Sequence, residues 1–449
     1  MQKFQERAAG KFVKVKQDRK QTAERERPQI RSAPEMGRKT QKSLARTGKL
    51  RYNQTIPAVP GTMGRGGTTA GKRMNTKMNI QAYNSYIEID LEQLRKNAET
   101  ILKTLSPGTQ LIPVLKDDAY ALGMVPVART LCALPEIRML AVAHVSEGLR
   151  LREAGIDREI LVMSGALPFQ MEAAAKAELT LACAHLGFAS QLAQAAERVG
   201  KQGRLHLKID TGLHRIGVEP EELDALIAEL REAGERIVVT GAFSHFSDAG
   251  DYDLDAAEYR LFLTALEHLE AAGIGIPLRH MACSLASELY PEFHMDAVRC
   301  GRRLYMDRPG VTNGPIRETA SFRSFITNCK PRRAGDFIGY GRNIRLEKDC
   351  LVATVGVGYG DGLNQNLFAV GGPVLVNGKR CRMLACCMDQ CMLDVTGADC
   401  RVGDEVTFFG YDRAGNFLSS QEVAALVGGD EGCGLTSALS TRVLRVYRG

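Results

Sequence analysis

From Tyr86 to about residue 320, short β-rich runs alternate with Ala-, Leu- and Glu-rich stretches whose apolar residues recur every three or four positions. That alternation constrains the chain more than any other feature, because strands separated by helices pair in parallel and close into an α/β barrel. The strand candidates are Gln110–Leu115, Met139–Ala143, Ile160–Met163, Leu205–Ile209, Ile237–Ala242, Leu278–Met281 and the stretch around Ala297. Helices are expected at Leu91–Leu105, Val145–Ala154, Pro220–Ala233 and Ala256–Ala272. Beyond residue 320 the helical pattern nearly disappears. Cys350–Val357, Gly372–Val376, Arg380–Leu384, Cys391–Val395 and Glu405–Phe409 read as strands, with Asn377-Gly378 as a hairpin turn. The expected organisation is a leader at 1–77, an α/β barrel of eight strands and eight helices at 78–320, and a C-terminal mostly β domain at 321–449.

Charge separates the leader from the rest. Residues 1–77 hold 20 Lys+Arg against 5 Asp+Glu, and the remaining residues hold 39 against 47, so the body is acidic although the whole chain is +7. The leader is too polar to offset its own ordering entropy and is expected to be disordered. Its Gly66–Lys72 segment has the spacing of a phosphate loop, but Arg73 replaces the magnesium-binding hydroxyl and no strand precedes it. An acidic body with no recognisable binding module makes nucleic acid an unexpected partner. No run of 18 apolar residues occurs, so no membrane span is expected. Several of the twelve cysteines, including Cys132, Cys183 and Cys283, lie in apolar runs like reduced core thiols, which suggests the cytoplasm. Cys381, Cys386, Cys387 and Cys391 lack the paired spacing of a zinc site, so no metal is expected.

Barrels carry reactive groups at the C-terminal ends of their strands. Lys116 ends an apolar run; an amine there would be desolvated and suited to forming a Schiff base, the alternative being a solvated rim charge. Leu207–Val218 runs from a strand into a Gly-containing turn that presents Arg215, fit to clamp a carboxylate or simply to pair with nearby acids. His245 ends another strand. Ser284, Arg299, Gly301 and Arg302 offer a hydroxyl and turn amides for a phosphate. In the β domain Tyr359 is enclosed by Gly358 and Gly360, which packing explains poorly; a phenol there could move a proton.

Taken in order, four segments resemble the alanine racemases, from roughly Tyr83 to Arg448. Lys116–Gly123 is similar to the family's K-A-[ND]-A-Y-G-H-G motif and Leu207–Val218 to its L-K-x-D-T-G-x-x-R-x-G-V stretch. Val357–Gly362 resembles the catalytic-tyrosine segment, and Cys387–Met392 the C-M-D-Q-x-M signature. The resemblance implies a homodimer that uses pyridoxal 5'-phosphate to interconvert L- and D-alanine by proton transfer on two faces of Cα. Lys116 would hold the cofactor and act on one face; Tyr359 of the partner subunit would act on the other. Arg215 and the Met388 amide would bind the substrate carboxylate. Tyr120, Ser284, Gly301 and Arg302 would hold the phosphate, Arg299 would face the pyridine nitrogen, and His245 would link Arg299 to Tyr359. Lys208 matches a position carbamylated in some members. The departures are Leu122 for His, His214 for Gly, Cys283 for Asn, the Arg302-Arg303 pair for small or apolar residues, and Thr441 for Tyr. Thr441 would widen the pocket, leaving serine or another small amino acid as an alternative substrate. A non-catalytic pyridoxal-phosphate carrier is the remote alternative.

Overall fold

A computed structural model describes residues 80–306, 316–429 and 432–449. The leader at 1–77, with its Gly66–Lys72 segment, lies outside them. The first strand, β1 (Ser85–Asp90), runs directly into the helix Leu91–Thr104, whose first turn is closed by the Asp90 carboxylate accepting the Gln93 amide at 2.8 Å. Eight short strands follow: β2 (Gln110–Pro113), β3 (Met139–Val142), β4 (Glu159–Val162), β5 (Thr180–Cys183), β6 (Gly203–Lys208), β7 (Ile237–Phe243), β8 (Arg279–His280) and β9 (Ala297–Cys300). All pair in parallel in the order β2-β9-β8-β7-β6-β5-β4-β3, and a Val114–Ala141 bridge joins the two ends into a barrel.

The barrel lumen has two characters. Ile112, Val114, Met139, Ala141, Leu161 and Ala297 form a dry cluster on one side, each large aliphatic side chain contributing about 1.5–3 kcal/mol by burial. The other side holds buried polar groups: His206, Lys208, His280 and Arg299. Such groups are costly unless hydrogen-bonded, so this side is the place to look for a functional site.

Past the barrel come β10 (Ala320–Arg332), a small hairpin of β11 (Phe337–Ile338) and β12 (Ile344–Arg345), then β13 (Cys350–Val355), β14 (Pro373–Val376), β15 (Lys379–Cys386), β16 (Cys391–Asp394), β17 (Glu405–Tyr411), β18 (Phe417–Leu418) and β19 (Leu444–Arg448). The order β17-β14-β15-β16-β13-β10, with β17 also pairing with β10, closes a second, antiparallel barrel. The expected Asn377-Gly378 turn joins β14 to β15, with φ of 47° and 78°.

One placement differs from the sequence reading. β1, counted above with the α/β barrel, pairs antiparallel with β10 and parallel with β19, so both ends of the described chain belong to the β domain's sheet. Buried Arg323 on β10 holds them together: it pairs with Glu88 of β1 at 3.0 Å and Glu405 of β17 at 3.2 Å, while Arg448 of β19 reaches Glu88 at 2.8 Å. Burial opposes the charge on Glu88, but Arg323, Arg413 and Arg448 outweigh it and keep its carboxyl below the ordinary range.

Candidate active site

Lys116 stands where β2 leaves the barrel, and the chain then makes a left-handed turn. Asp117, Asp118, Ala119, Tyr120 and Ala121 have φ between 52° and 61°, five consecutive non-glycine residues in a region that costs L-residues on the order of 1–2 kcal/mol each. The Ala119 amide bonds to Leu115 O at 2.9 Å and the Ala121 amide to Asp117 O at 2.7 Å. The turn places the Lys116 amine 5.9 Å from the centre of the Tyr120 ring. Lys116 is exposed in the single chain, where the sequence leads one to expect a desolvated amine.

Arg299, on β9, is buried in the lumen. One guanidinium nitrogen donates to His280 Nδ1 at 2.6 Å and His280 O at 3.1 Å; the other reaches Ser244 O at 2.7 Å, Met281 O at 3.0 Å and His245 Nδ1 at 3.1 Å. An Arg can only donate, so Nδ1 of both imidazoles accepts and each neutral ring carries its proton on Nε2. His280 passes that proton's hydrogen bond to His206 Nδ1 at 3.0 Å. Burial, with Arg299, Arg215, Lys208 and Lys116 nearby, pushes His245 down to about 3; burial, aided by the like charge of Arg215, brings Arg299 down to about 10, leaving it charged at neutral pH.

A loop after β6 presents Arg215. The Asp210 carboxylate accepts the amides of Gly212 at 3.1 Å, His214 at 3.0 Å and Arg215 at 3.2 Å, folding the loop over itself. His214 takes a left-handed φ of 52° there, a conformation glycine would adopt freely. Among the described residues Arg215 has no carboxylate partner, so the bland alternative of an internal ion pair is not realised. Asp210, His214 and Glu219 could bring ligand atoms within 4.8 Å of one another, but the three amides on Asp210 already explain the grouping. Lys208, buried, donates to Ile209 O at 2.7 Å, and burial brings it down to about 8.

Across the mouth, Ser284 Oγ accepts the Gly301 amide at 3.1 Å, and the helix Arg302–Tyr305 begins immediately after. A Cβ on Gly301 would lie 2.1 Å from the Tyr120 oxygen, so glycine there is what lets the Tyr120 hydroxyl come up against the turn, beside the Ser284 hydroxyl and the turn amides. Tyr120 is braced from behind by Tyr305, ring centres 5.1 Å apart, whose own hydroxyl is tied to Val114 O at 3.1 Å. Arg303 is buried beside Glu288 at 3.9 Å.

Tyr359 and Met388 form a second group, on the β domain. The Tyr359 amide bonds to Cys387 O at 3.1 Å and the Gly360 amide to Met388 O at 2.8 Å, so the tyrosine turn and the β15–β16 turn lie back to back. A Cβ on Gly358 would fall 2.3 Å from Cys387 O, which is why glycine flanks the tyrosine. Both side chains face outward, Tyr359 39% and Met388 58% exposed. Within the chain, and among the described residues, no hydrogen bond joins either of them to Lys116, Arg215, His245 or Arg299. Sequence reasoning missed His206 and His280; His206 sits two positions before Lys208, a strand period that would have put both in the lumen. It also missed Glu147, whose role depends on a contact 30 residues away in sequence.

Known proteins share both domains of this chain. A family model described as alanine racemase, N-terminal domain, matches residues 89–309, and one described as alanine racemase, C-terminal domain, matches 319–447. An alanine racemase of Desulforamulus reducens is 35% identical over 81% of this chain and 99% of its own length. One of Clostridium tetani is 33% identical over 81% and 95%. Among solved structures, alanine racemase of Clostridium difficile 630 superposes with a TM-score of 0.77 at 29% identity, covering 83% of this chain and 97% of that one. That of Bacillus anthracis with bound L-Ala-P gives 0.76 at 27% identity, covering 82% and 95%.

Proposed function

The chain belongs to the alanine racemase family, and from that premise we propose that it interconverts L- and D-alanine through Lys116 and Tyr359, set on opposite faces of the substrate's Cα. The donor set at the barrel mouth suits pyridoxal 5'-phosphate, since the bare Gly301 lets the Tyr120 hydroxyl stand beside the Ser284 hydroxyl and the turn amides, and a buried cation, Arg299, is held in the same lumen. Lys116 would hold the cofactor covalently; Tyr120, Ser284 and the amides of Gly301 and Arg302 would hold its phosphate, and Arg299 its ring nitrogen. When bound, the cofactor supplies an electron sink that acidifies the substrate Cα–H.

The protein's groups direct that acidity. Arg215 and the Met388 amide hold the substrate carboxylate, fixing which bond at Cα is presented. Lys116 removes or returns the proton on one face and the partner subunit's Tyr359 does so on the other. Arg299 keeps its protons at neutral pH, so it would offer the cofactor's ring nitrogen a hydrogen bond without protonating it, which would favour return of the proton to Cα. His245, its Nδ1 occupied by Arg299, has Nε2–H to donate toward the phenol oxygen of the partner's Tyr359 and so stabilises the deprotonated form. The outward-facing Tyr359–Met388 pair supports a homodimer whose two subunits share each site. Twelve cysteines, all unpaired, support a reducing cytoplasm. No helix among the described residues is long and apolar enough to cross a membrane.

The observation that carries this reading is the Arg299–His245 contact at the mouth that also holds Lys116. The test is a chiral assay of purified protein with the cofactor and L-alanine. D-alanine should accumulate to equality; protein that binds the cofactor yet leaves L-alanine unchanged overturns the reading. Small, exposed Thr441 favours a second substrate, serine, measurable in the same assay.

A further inference from the structure

A left-handed turn of five L-residues persists only where its surroundings over-determine it. Two sets of side chains do so here. At the amide end, Glu147 on the helix Val145–Glu153 accepts Asp117 N at 2.6 Å and Asp118 N at 3.4 Å on one carboxylate oxygen. Its other oxygen accepts Ala143 N at 2.8 Å and His144 N at 3.0 Å, tying the turn to the end of β3. Among the described residues Glu147 has no cationic partner; its charge is met by backbone amides alone. At the carbonyl end, two residues of β19 reach over from the β domain. Arg445 Nε donates to Ala121 O at 3.1 Å, while its other nitrogens hold Leu439 O, Ser440 O and Val443 O at 2.6–2.9 Å. The Tyr447 hydroxyl donates to Leu122 O at 3.0 Å, and Gly123 makes room for it: a Cβ there would lie 1.9 Å from that oxygen.

We propose that Glu147, Arg445 and Tyr447 are positioning residues for the racemisation, a carboxylate gripping the amides and a guanidinium and phenol gripping the carbonyls of the turn that carries Lys116 and Tyr120. The proposal rests on the role given to Lys116 above. It makes the placement of the barrel's reactive amine depend on the last strand of the β domain. A base misplaced by an ångström loses about 10²-fold in rate, so the turn has to be held from both sides. Burial raises the Tyr447 phenol to about 12, so it remains a donor at every working pH.

The test uses the full chain with Tyr447→Phe, Arg445→Lys and Glu147→Gln, and Arg448→Gln as control on the same strand, where Arg448 bonds to Glu88 instead. Melting of each apoprotein reports folding. Cofactor uptake, followed by absorbance and by borohydride capture on Lys116, reports the turn independently of turnover. Tyr447→Phe should weaken cofactor binding roughly fivefold, the loss of one hydrogen bond. Arg445→Lys and Glu147→Gln should weaken it tenfold or more, with kcat falling in parallel and KM for alanine within about twofold of wild type. The control should keep wild-type uptake. Folded variants with unchanged uptake and kcat overturn the proposal, as does an equal loss in Arg448→Gln, which would make the contacts merely structural. If Arg445→Lys or Glu147→Gln fails to fold, Tyr447→Phe, which removes one oxygen, decides. Wild-type protein that takes up the cofactor without racemising alanine would overturn the proposed function and leave the clamp to stand or fall on uptake.

Discussion

At the scale of single residues the proposed reaction divides between an amine and a phenol, and each can be removed by itself. Tyr359→Phe deletes one oxygen from an exposed side chain, so fold and cofactor content should be unchanged. Racemisation should fall about 10²- to 10⁴-fold, the usual worth of a positioned acid or base. Because the equilibrium constant of a racemisation is one, kcat/KM must drop equally for both enantiomers; the asymmetry appears elsewhere. In deuterium oxide one enantiomer should still exchange its Cα hydrogen through Lys116 while the other does not, and equal exchange by both would remove Tyr359 from the mechanism. Thr441→Tyr adds bulk at an exposed position expected to line the pocket. It should raise the alanine-to-serine ratio of kcat/KM by about 10-fold or more, the scale on which a few added atoms in a pocket discriminate, and an unchanged ratio would dissociate Thr441 from selectivity.

At the scale of elements, the two back-to-back turns of the β domain set where Tyr359 and the Met388 amide stand. Gly358→Ala would drive a methyl to within 2.3 Å of Cys387 O, and backbone cannot yield as a flexible side chain does. The turns should separate, with activity down about 10²-fold while far-ultraviolet circular dichroism stays that of the wild type. Much of this arrangement was legible because short motifs carry it: the glycines around Tyr359 and the C-M-D-Q run are local features. What escaped were elements whose identity depends on distant partners. β5 (Thr180–Cys183) follows an Ala-rich helix and reads as its continuation, yet parallel pairing with β4 and β6 makes it a strand. β10, the longest strand, was missed because its Arg, Ser and Asn break the apolar alternation; Arg323 is buried there only because Glu88 and Glu405 neutralise it. β1 looked like the barrel's first strand because nothing in six alternating residues says which sheet will receive them. The left-handed turn after Lys116 was hidden for a similar reason: five L-residues in that conformation contradict local propensity, and contacts with residues distant in sequence help impose it.

At the scale of the whole molecule, the lumen makes stability depend on pH. Burial pushes His206 down to about 4, His245 to about 3 and His280 well below its ordinary 6.5. Below pH 6.5 the unfolded chain binds protons at these rings that the folded chain refuses, so stability is lost on acidification, each ring contributing up to about 1.4 kcal/mol per pH unit. Asp255, raised to about 6 by burial, opposes this with one proton against three. Denaturant midpoints should therefore fall between pH 6.5 and 5, and a flat profile would mean the rings are protonated in the folded state. Assembly gives the sharper test, because a site shared between subunits can be mended by mixing. Lys116→Ala supplies an intact Tyr359 and Tyr359→Phe an intact Lys116, so in the proposed homodimer each variant alone should be dead while a mixed dimer should contain one site with both groups and one with neither. Random exchange of equal amounts makes half the dimers mixed, each with one working site of two. Activity should then recover to about a quarter of the wild-type value, as two-fold symmetry requires when both groups of a site come from different chains. If each site were built within a single subunit, no mixture could exceed its inactive parents.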